Sequence, residues 1–180
     1  MRLFTAITFE DQIKDSLWEA MEKLSFNVIK GSFTAKDNLH LTLNFIGETK
    51  KIELVKEAME EAVFAANIKS FNLSIGGFGR FSRRDGDICF IGVKREENLL
   101  GIQKELTNRL KSAGFDLENR EYKPHITLAR RVRFAGGFRD DELASLIVNL
   151  SQKVQKISLM KSEHINGRLT YTEIFHVCLP

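Results

Sequence analysis

At 180 residues, with 43% hydrophobic and 28% charged side chains, the chain is too apolar to be disordered. It is also long enough to bury a core without disulfides or a structural metal. A formal net charge of +3, from 27 basic against 24 acidic residues, excludes a histone-like polycation and makes the placement of the charges the informative quantity.

Residues Arg2 to Phe9 are β-branched and aromatic enough to form a first strand. Asp11 to Leu24 sets Ile13, Leu17, Ala20, Met21 and Leu24 at helical spacing, and Phe26 to Thr34 fits a short strand less clearly. His40 to Ile46 reads as a strand ended by Gly47, followed by a helix over Ile52 to Ala66 with Leu54, Val55, Ala58, Met59, Ala62 and Val63 as its apolar stripe. Phe71 to Ile75 and Ile88 to Val93 are strands around a polar, Arg-rich loop. Leu99 to Ala113 is a helix closed by Gly114, and His125 to Ala129 is a strand. A short helix over Asp140 to Leu150 and two strands, Val154 to Met160 and Leu169 to Leu179, complete the chain. No linker rich in Gly, Ser or Pro divides it, and one domain over residues 1–180 is expected. With no extended apolar face left over, a monomer is expected as well.

Cys89 and Cys178 lie in apolar runs with no CxxC or Cys/His spacing, which argues against a zinc framework. Both are expected as buried free thiols of a reducing cytoplasm. The apolar run at the N-terminus is too short for a signal peptide, and no run of about 18 apolar residues occurs that could span a membrane. A soluble cytoplasmic protein is expected.

The chemistry is concentrated in a repeat. His40-Leu41-Thr42-Leu43 and His125-Ile126-Thr127-Leu128 lie 85 residues apart, each on a strand and each in a strand–helix–strand context. Two similar α+β lobes facing each other follow from that repetition. Alternation along a strand puts His40 with Thr42, and His125 with Thr127, on one face, about 7 Å apart at Cα. The groove between the lobes then holds two imidazoles and two hydroxyls. A metal site would need three or four ligands, and neither motif supplies them. A serine triad would need a nucleophile elbow, which is absent from the sequence. Two histidines on opposite sides of a substrate suit in-line displacement at phosphorus, one taking a proton from the attacking oxygen and the other giving one to the leaving oxygen. The threonine hydroxyls can donate to the non-bridging oxygens. His164 and His176 lack the motif and are read as structural.

These residues resemble the 2H phosphoesterases, specifically the RNA 2′,3′-cyclic phosphodiesterases also called bacterial and archaeal 2′-5′ RNA ligases. The resemblance rests on Arg2-Leu3-Phe4-Thr5-Ala6-Ile7, on Asn38-Leu39 with the first His motif through Gly47, and on Gly76-Gly77-Phe78-Gly79-Arg80-Phe81. It continues through Pro124 with the second motif to Arg130, and through Ser162, Gly167 and Tyr171. It implies a bilobal, pseudo-twofold α+β fold, two antiparallel sheets lining a central cleft with helices packed outside. It implies hydrolysis of terminal 2′,3′-cyclic phosphates to 2′-phosphates with no metal and no cofactor, His125 as general base and His40 as general acid, with 2′-5′ joining as the reverse step in some members. Partners implied are RNAs with 2′,3′-cyclic phosphate ends, tRNA fragments included, or cyclic nucleotides. Phe33 stands where Trp is common in the family, and Tyr122 where Phe is common, which bears on substrate preference. A phosphodiesterase for 2′-5′ oligonucleotides or small cyclic nucleotides, and a non-catalytic RNA- or nucleotide-binding module, are the alternatives.

Substrate contacts are expected from Thr42, Thr127, Arg130, Arg80 and Tyr171, although alternation aims Arg130 away from His125. Arg83, Arg84, Arg131 and Arg133 are candidates for phosphate-backbone contacts, and Phe81, Phe33 and Tyr171 for base stacking. The glycine stretch after Ile75 is expected to allow a tight turn or a close backbone approach near the cleft. Residues 120–139 hold six basic side chains against one acid, so the positive charge gathers around the second motif.

Overall fold

The computed structural model describes residues 1–136 and 149–180. Nine strands and three α-helices, with a 3-10 turn over Lys36–Asn38, follow one another along them. They are β1 (Arg2–Thr8), α1 (Asp11–Ser25), β2 (Val28–Phe33), β3 (His40–Glu48), α2 (Ile52–Ala66), β4 (Phe71–Phe81), β5 (Asp87–Val93), α3 (Glu97–Ser112), β6 (His125–Phe134), β7 (Leu150–Val154), β8 (Lys156–Ile165) and β9 (Arg168–Cys178). The helix expected over Asp140 to Leu150 falls largely outside the described residues.

The strands form two sheets, in the orders β3-β1-β8-β9 and β2-β6-β5-β4-β7, and every strand pair is antiparallel. The expected α+β class with two antiparallel sheets is what is found, but the sheets do not follow the two halves of the sequence. β2 crosses to the sheet of the second motif, and β8 with β9 returns to the sheet of the first. The two His motifs, on β3 and β6, occupy matching places in the strand orders, with β2 added outside β6.

Packing explains why the elements stop where they do. On α3, Leu99, Ile102, Leu106 and Leu110 are fully buried, each contributing about 1.5–3 kcal/mol relative to exposure. The helix then gives way to Gly114 at φ 85°, a left-handed conformation that costs glycine nothing. Leu54, expected in the buried stripe of α2, is instead exposed, because that stripe narrows to Val55, Ala58, Met59, Ala62 and Val63. Cys89 is buried as expected, whereas Cys178, at the end of β9, is exposed. No described helix is long and apolar enough to cross a membrane.

Four strands run past their expected ends, β6 to Phe134 and β8 to Ile165 as well as β3 and β4. β3 continues through Gly47, and β4 includes the glycine stretch, absorbing it as a bulge between Ile75 and Phe78 rather than as a turn. The close approach is real: a Cβ on Gly79 would lie 2.5 Å from the Phe90 ring, so only glycine lets that ring lie flat on β4.

Candidate active site

Both motifs carry the same irregularity. Thr5 pairs with Asn44 but Ala6 with Thr42, which leaves Leu43 as an extra residue in β3. Cys89 pairs with Ala129 but Phe90 with Thr127, which leaves Leu128 as an extra residue in β6. At such a bulge two successive side chains point the same way and the alternation reverses beyond it. Leu43 with Asn44, and Leu128 with Ala129, are accordingly buried doublets, and the next residues, Phe45 and Arg130, return to the face of the histidines. The expectation that Arg130 points away from His125 is therefore corrected. The inward Asn44 is satisfied by Thr107 of α3, to which it donates at 2.8 Å.

Each imidazole is held from behind by a carbonyl two residues upstream. His40 Nδ1–H donates to the Asn38 carbonyl at 2.7 Å, and His125 Nδ1–H donates to the Lys123 carbonyl at 2.6 Å. A carbonyl can only accept, so in both neutral rings the proton sits on Nδ1 and Nε2 carries the free lone pair. Nε2 of His40 accepts from the Thr42 hydroxyl at 2.8 Å. Aromatic rings flank the imidazoles: Phe4 and Tyr171 lie 4.9 and 5.2 Å from His40, and Phe81 and Phe90 lie 5.1 and 5.3 Å from His125. Tyr171 meets His40 edge-on, at 88°. Gly79 thus acts through Phe90, whose ring packs against His125.

Burial lowers the His40 pKa to about 4, outweighing the Asn38 hydrogen bond that raises it, and the charges of Arg130 and His125 lower it further. His125 is lowered by the same causes, burial first, with Arg130 and Arg120 adding to it against the Lys123 hydrogen bond. Both rings are therefore neutral at pH 7, and Arg130 acts on both.

Two further residues join the motifs to their surroundings. Tyr122, just before Pro124 and His125, donates its hydroxyl to the Thr42 carbonyl at 3.1 Å, so the approach to one motif is fastened to the other. Burial raises the Tyr122 pKa well above the usual phenol value, which keeps that donor protonated. Asn38 is 7% exposed and uses every group it has. Its Nδ2 donates to the Leu169 carbonyl at 2.7 Å and its Oδ1 accepts from the Tyr171 amide at 3.1 Å, which ties β9 to the residues before His40. Asn38→Asp removes the Nδ2 donor and sets a carboxylate against the Leu169 carbonyl. The expected result is a loss of about 1–3 kcal/mol in urea unfolding, together with a fall in kcat larger than the change in KM, because Tyr171 and His40 shift together.

The remaining candidates separate. Thr127 shares the face of His125, and its carbonyl accepts from the Thr34 hydroxyl at 2.9 Å. Arg80 is in register with the inward-facing Cys89, ion-paired to Asp87 at 3.1 Å and 5.7 Å from the Phe134 ring, on the face opposite His125. Phe33 lies on β2, away from both imidazoles. His176 is held by Glu173 at 3.0 Å, and His164 is exposed. Asn38, Phe4, Phe45 and Phe90 carry no site signal of their own in the sequence and join the histidines through the fold. Among the described residues no cluster of three or more His, Cys, Asp or Glu side chains is arranged to hold a metal.

Residues 13–164 match the 2′-5′ RNA ligase superfamily. The chain is 32% identical over 131 residues, 72% of its own length and 70% of the relative's, to the RNA 2′,3′-cyclic phosphodiesterase of Thermotoga maritima. It is 27% identical over 97% of its own length and 96% of the relative's to the protein of that name from Methanothermobacter thermautotrophicus. Among solved structures it resembles E. coli LigT complexed with 3′-AMP, at a TM-score of 0.79 and 26% identity over 99% of this chain and 97% of that one.

Proposed function

The chain belongs to the 2′-5′ RNA ligase superfamily, and from that premise we propose that it opens RNA 2′,3′-cyclic phosphate termini by two-histidine general acid–base catalysis. The observation that carries the reading is the pair of imidazoles, each with Nδ1–H fixed by its own strand's carbonyl and Nε2 left to exchange protons. His125 Nε2 takes a proton from water, the water oxygen bonds to phosphorus, and the P–O3′ bond breaks on the opposite side. His40 gives its proton to O3′, leaving a 2′-phosphate and a free 3′-hydroxyl. Thr42 and Thr127 donate to the non-bridging oxygens, and Arg130 faces their charge.

The lowered pKa values fit these roles unequally. A neutral His125 is ready as base at pH 7, whereas His40 must gain its proton with the substrate. The phosphodiester anion supplies the means, because its charge offsets the field of Arg130 and favours imidazolium. His40, the more deeply lowered of the two, is then the stronger acid toward a poor leaving group. The same in-line step with an RNA 5′-hydroxyl in place of water, its proton going to His125 while O3′ leaves with the proton of His40, gives a 2′-5′ linkage.

The test is product analysis on an RNA ended in a 2′,3′-cyclic phosphate, with chelator present and absent. A 2′-phosphate product at an unchanged rate with chelator is the expected result. A 3′-phosphate product would show that O2′ leaves and overturn the assignment. Binding without turnover would favour a nucleotide-binding module, and faster turnover of 2′-5′-linked oligonucleotides or small cyclic nucleotides would move the substrate and keep the chemistry.

A further inference from the structure

We propose that the β2–β6 edge is a track for single-stranded RNA that leads out from Arg130 at the reacting terminus, with Ser32, and then Arg133 with Lys30, holding the phosphates upstream of it. The proposal rests on the cyclic phosphodiesterase reading and adds to it a preference for oligonucleotides over mononucleotides.

Register places the four side chains on one face. Ser32 pairs with Arg130 and Lys30 with Arg133. Between them the opposite face is closed: Val132 is buried, and a Cβ on Gly31 would lie 3.3 Å from its methyl group. Lys30, Ser32, Arg130 and Arg133 therefore point away from the core, on the face of His125 and Thr127, and all four are exposed. The second irregularity of β6, with Arg131 at φ 53° and three residues of β6 spanned by two of β5, is what brings Arg133 back to this face.

The charge there is unbalanced. Lys30 and Arg133 stand directly across from each other, a like-charge pair that destabilises a ladder. Among the described residues neither has an ion-pair partner, in contrast to Arg80, which is held by Asp87. A polyanion resolves that repulsion. From Ser32 to Lys30 is two strand residues, about 6.6 Å, the order of the separation between successive phosphates on a nucleic-acid strand. The cyclic phosphate terminates the 3′ end, so the 5′ side of the RNA is the part that runs out past Arg130 toward Arg133.

The experiment compares kcat/KM for an RNA tetranucleotide ended in 2′,3′-cyclic phosphate with that for the 2′,3′-cyclic mononucleotide, over a range of salt. Lys30→Gln with Arg133→Gln is expected to lower the tetranucleotide value tenfold or more near 0.1 M salt, mainly through KM, so that the tetranucleotide-to-mononucleotide ratio collapses. The slope of log kcat/KM against log salt should lessen by about 1.4 for two lost phosphate contacts. A charge-matched control, Lys69→Gln with Lys111→Gln, removes cations that lie on neither strand and should leave the ratio as it was. An unchanged ratio in the Lys30/Arg133 variant, or equal losses on both substrates, overturns the track. If the unaltered protein turns over neither substrate, the cyclic phosphodiesterase reading fails by itself. The track is then decided by the salt slope for binding of the same RNA without its cyclic end, a lessened slope in the variant supporting it and an equal one overturning it.

Discussion

Alanine at His125 or at His40 is expected to lower kcat on a 2′,3′-cyclic-phosphate-ended RNA by roughly 10²–10⁴-fold, with the folded state intact. The two losses should not add: once one proton transfer is gone, the concerted step the other histidine serves is gone too, and the double variant should sit near the slower single one. Folding survives because each ring lies on the strand face away from the core, with Leu41 and Leu43 or Ile126 and Leu128 filling the core behind it. His40→Ala has the larger structural cost, since the hydrogen bond it removes from the Asn38 carbonyl is partly buried, whereas that of His125 to the Lys123 carbonyl is exposed. Circular dichroism and urea unfolding separate that cost from the chemistry, and His164→Ala, at an exposed position outside the site, controls for loss of any imidazole. Near-full turnover in the His40/His125 double variant would rule out the two-histidine mechanism.

The site was legible in the sequence up to the point where alternation fails. His-x-Thr in duplicate placed four side chains on two matching strand faces, because period-2 alternation holds from His40 to Thr42 and from His125 to Thr127. It fails at Leu43 and Leu128. Nothing in an isolated leucine marks it as an extra residue in a ladder; the bulge depends on the partner strand, β1 in one case and β5 in the other. Alternation therefore aims Arg130 and Phe45 at the wrong face. Arg80 fails differently: it is near in sequence to cleft residues such as Phe81, but one step along a strand changes the face. The crossing of β2 and the return of β8 and β9 were beyond reach of local pattern altogether, since each is a long-range pairing. Asn38, with two main-chain and two side-chain hydrogen bonds, is visible in the sequence only as a flank of the motif. Its partners, Leu169 and Tyr171, lie more than 130 residues away.

Arg130→Gln should produce two changes of opposite sense, and that opposition identifies its role. In the proposed reaction Arg130 faces the phosphate charge, so its loss removes a charge-assisted contact; kcat/KM is expected to fall about 10–100-fold. Arg130 also lowers the pKa of both His40 and His125. Without the cation the protonated rings become less unfavourable, so both pKa values rise toward 6.5. In the unaltered free protein both limbs of the kcat/KM profile lie below that value, because His125 must be neutral to act as base and His40 charged to act as acid, and each is lowered. In the variant both limbs should move to higher pH while the maximum drops. The kcat profile should move less, since in the complex the substrate anion already offsets the field of Arg130. Arg130→Lys supplies the charge without the two-pronged donor geometry, so it should return the limbs and recover only part of the rate. A fall in rate with unmoved limbs would mean that Arg130 does not act on the imidazoles through its charge. Moved limbs with an unchanged rate would mean that it does not touch the phosphate. Only the two together fit an arginine that the bulge at Leu128 turns into the cleft beside both proton-transfer groups.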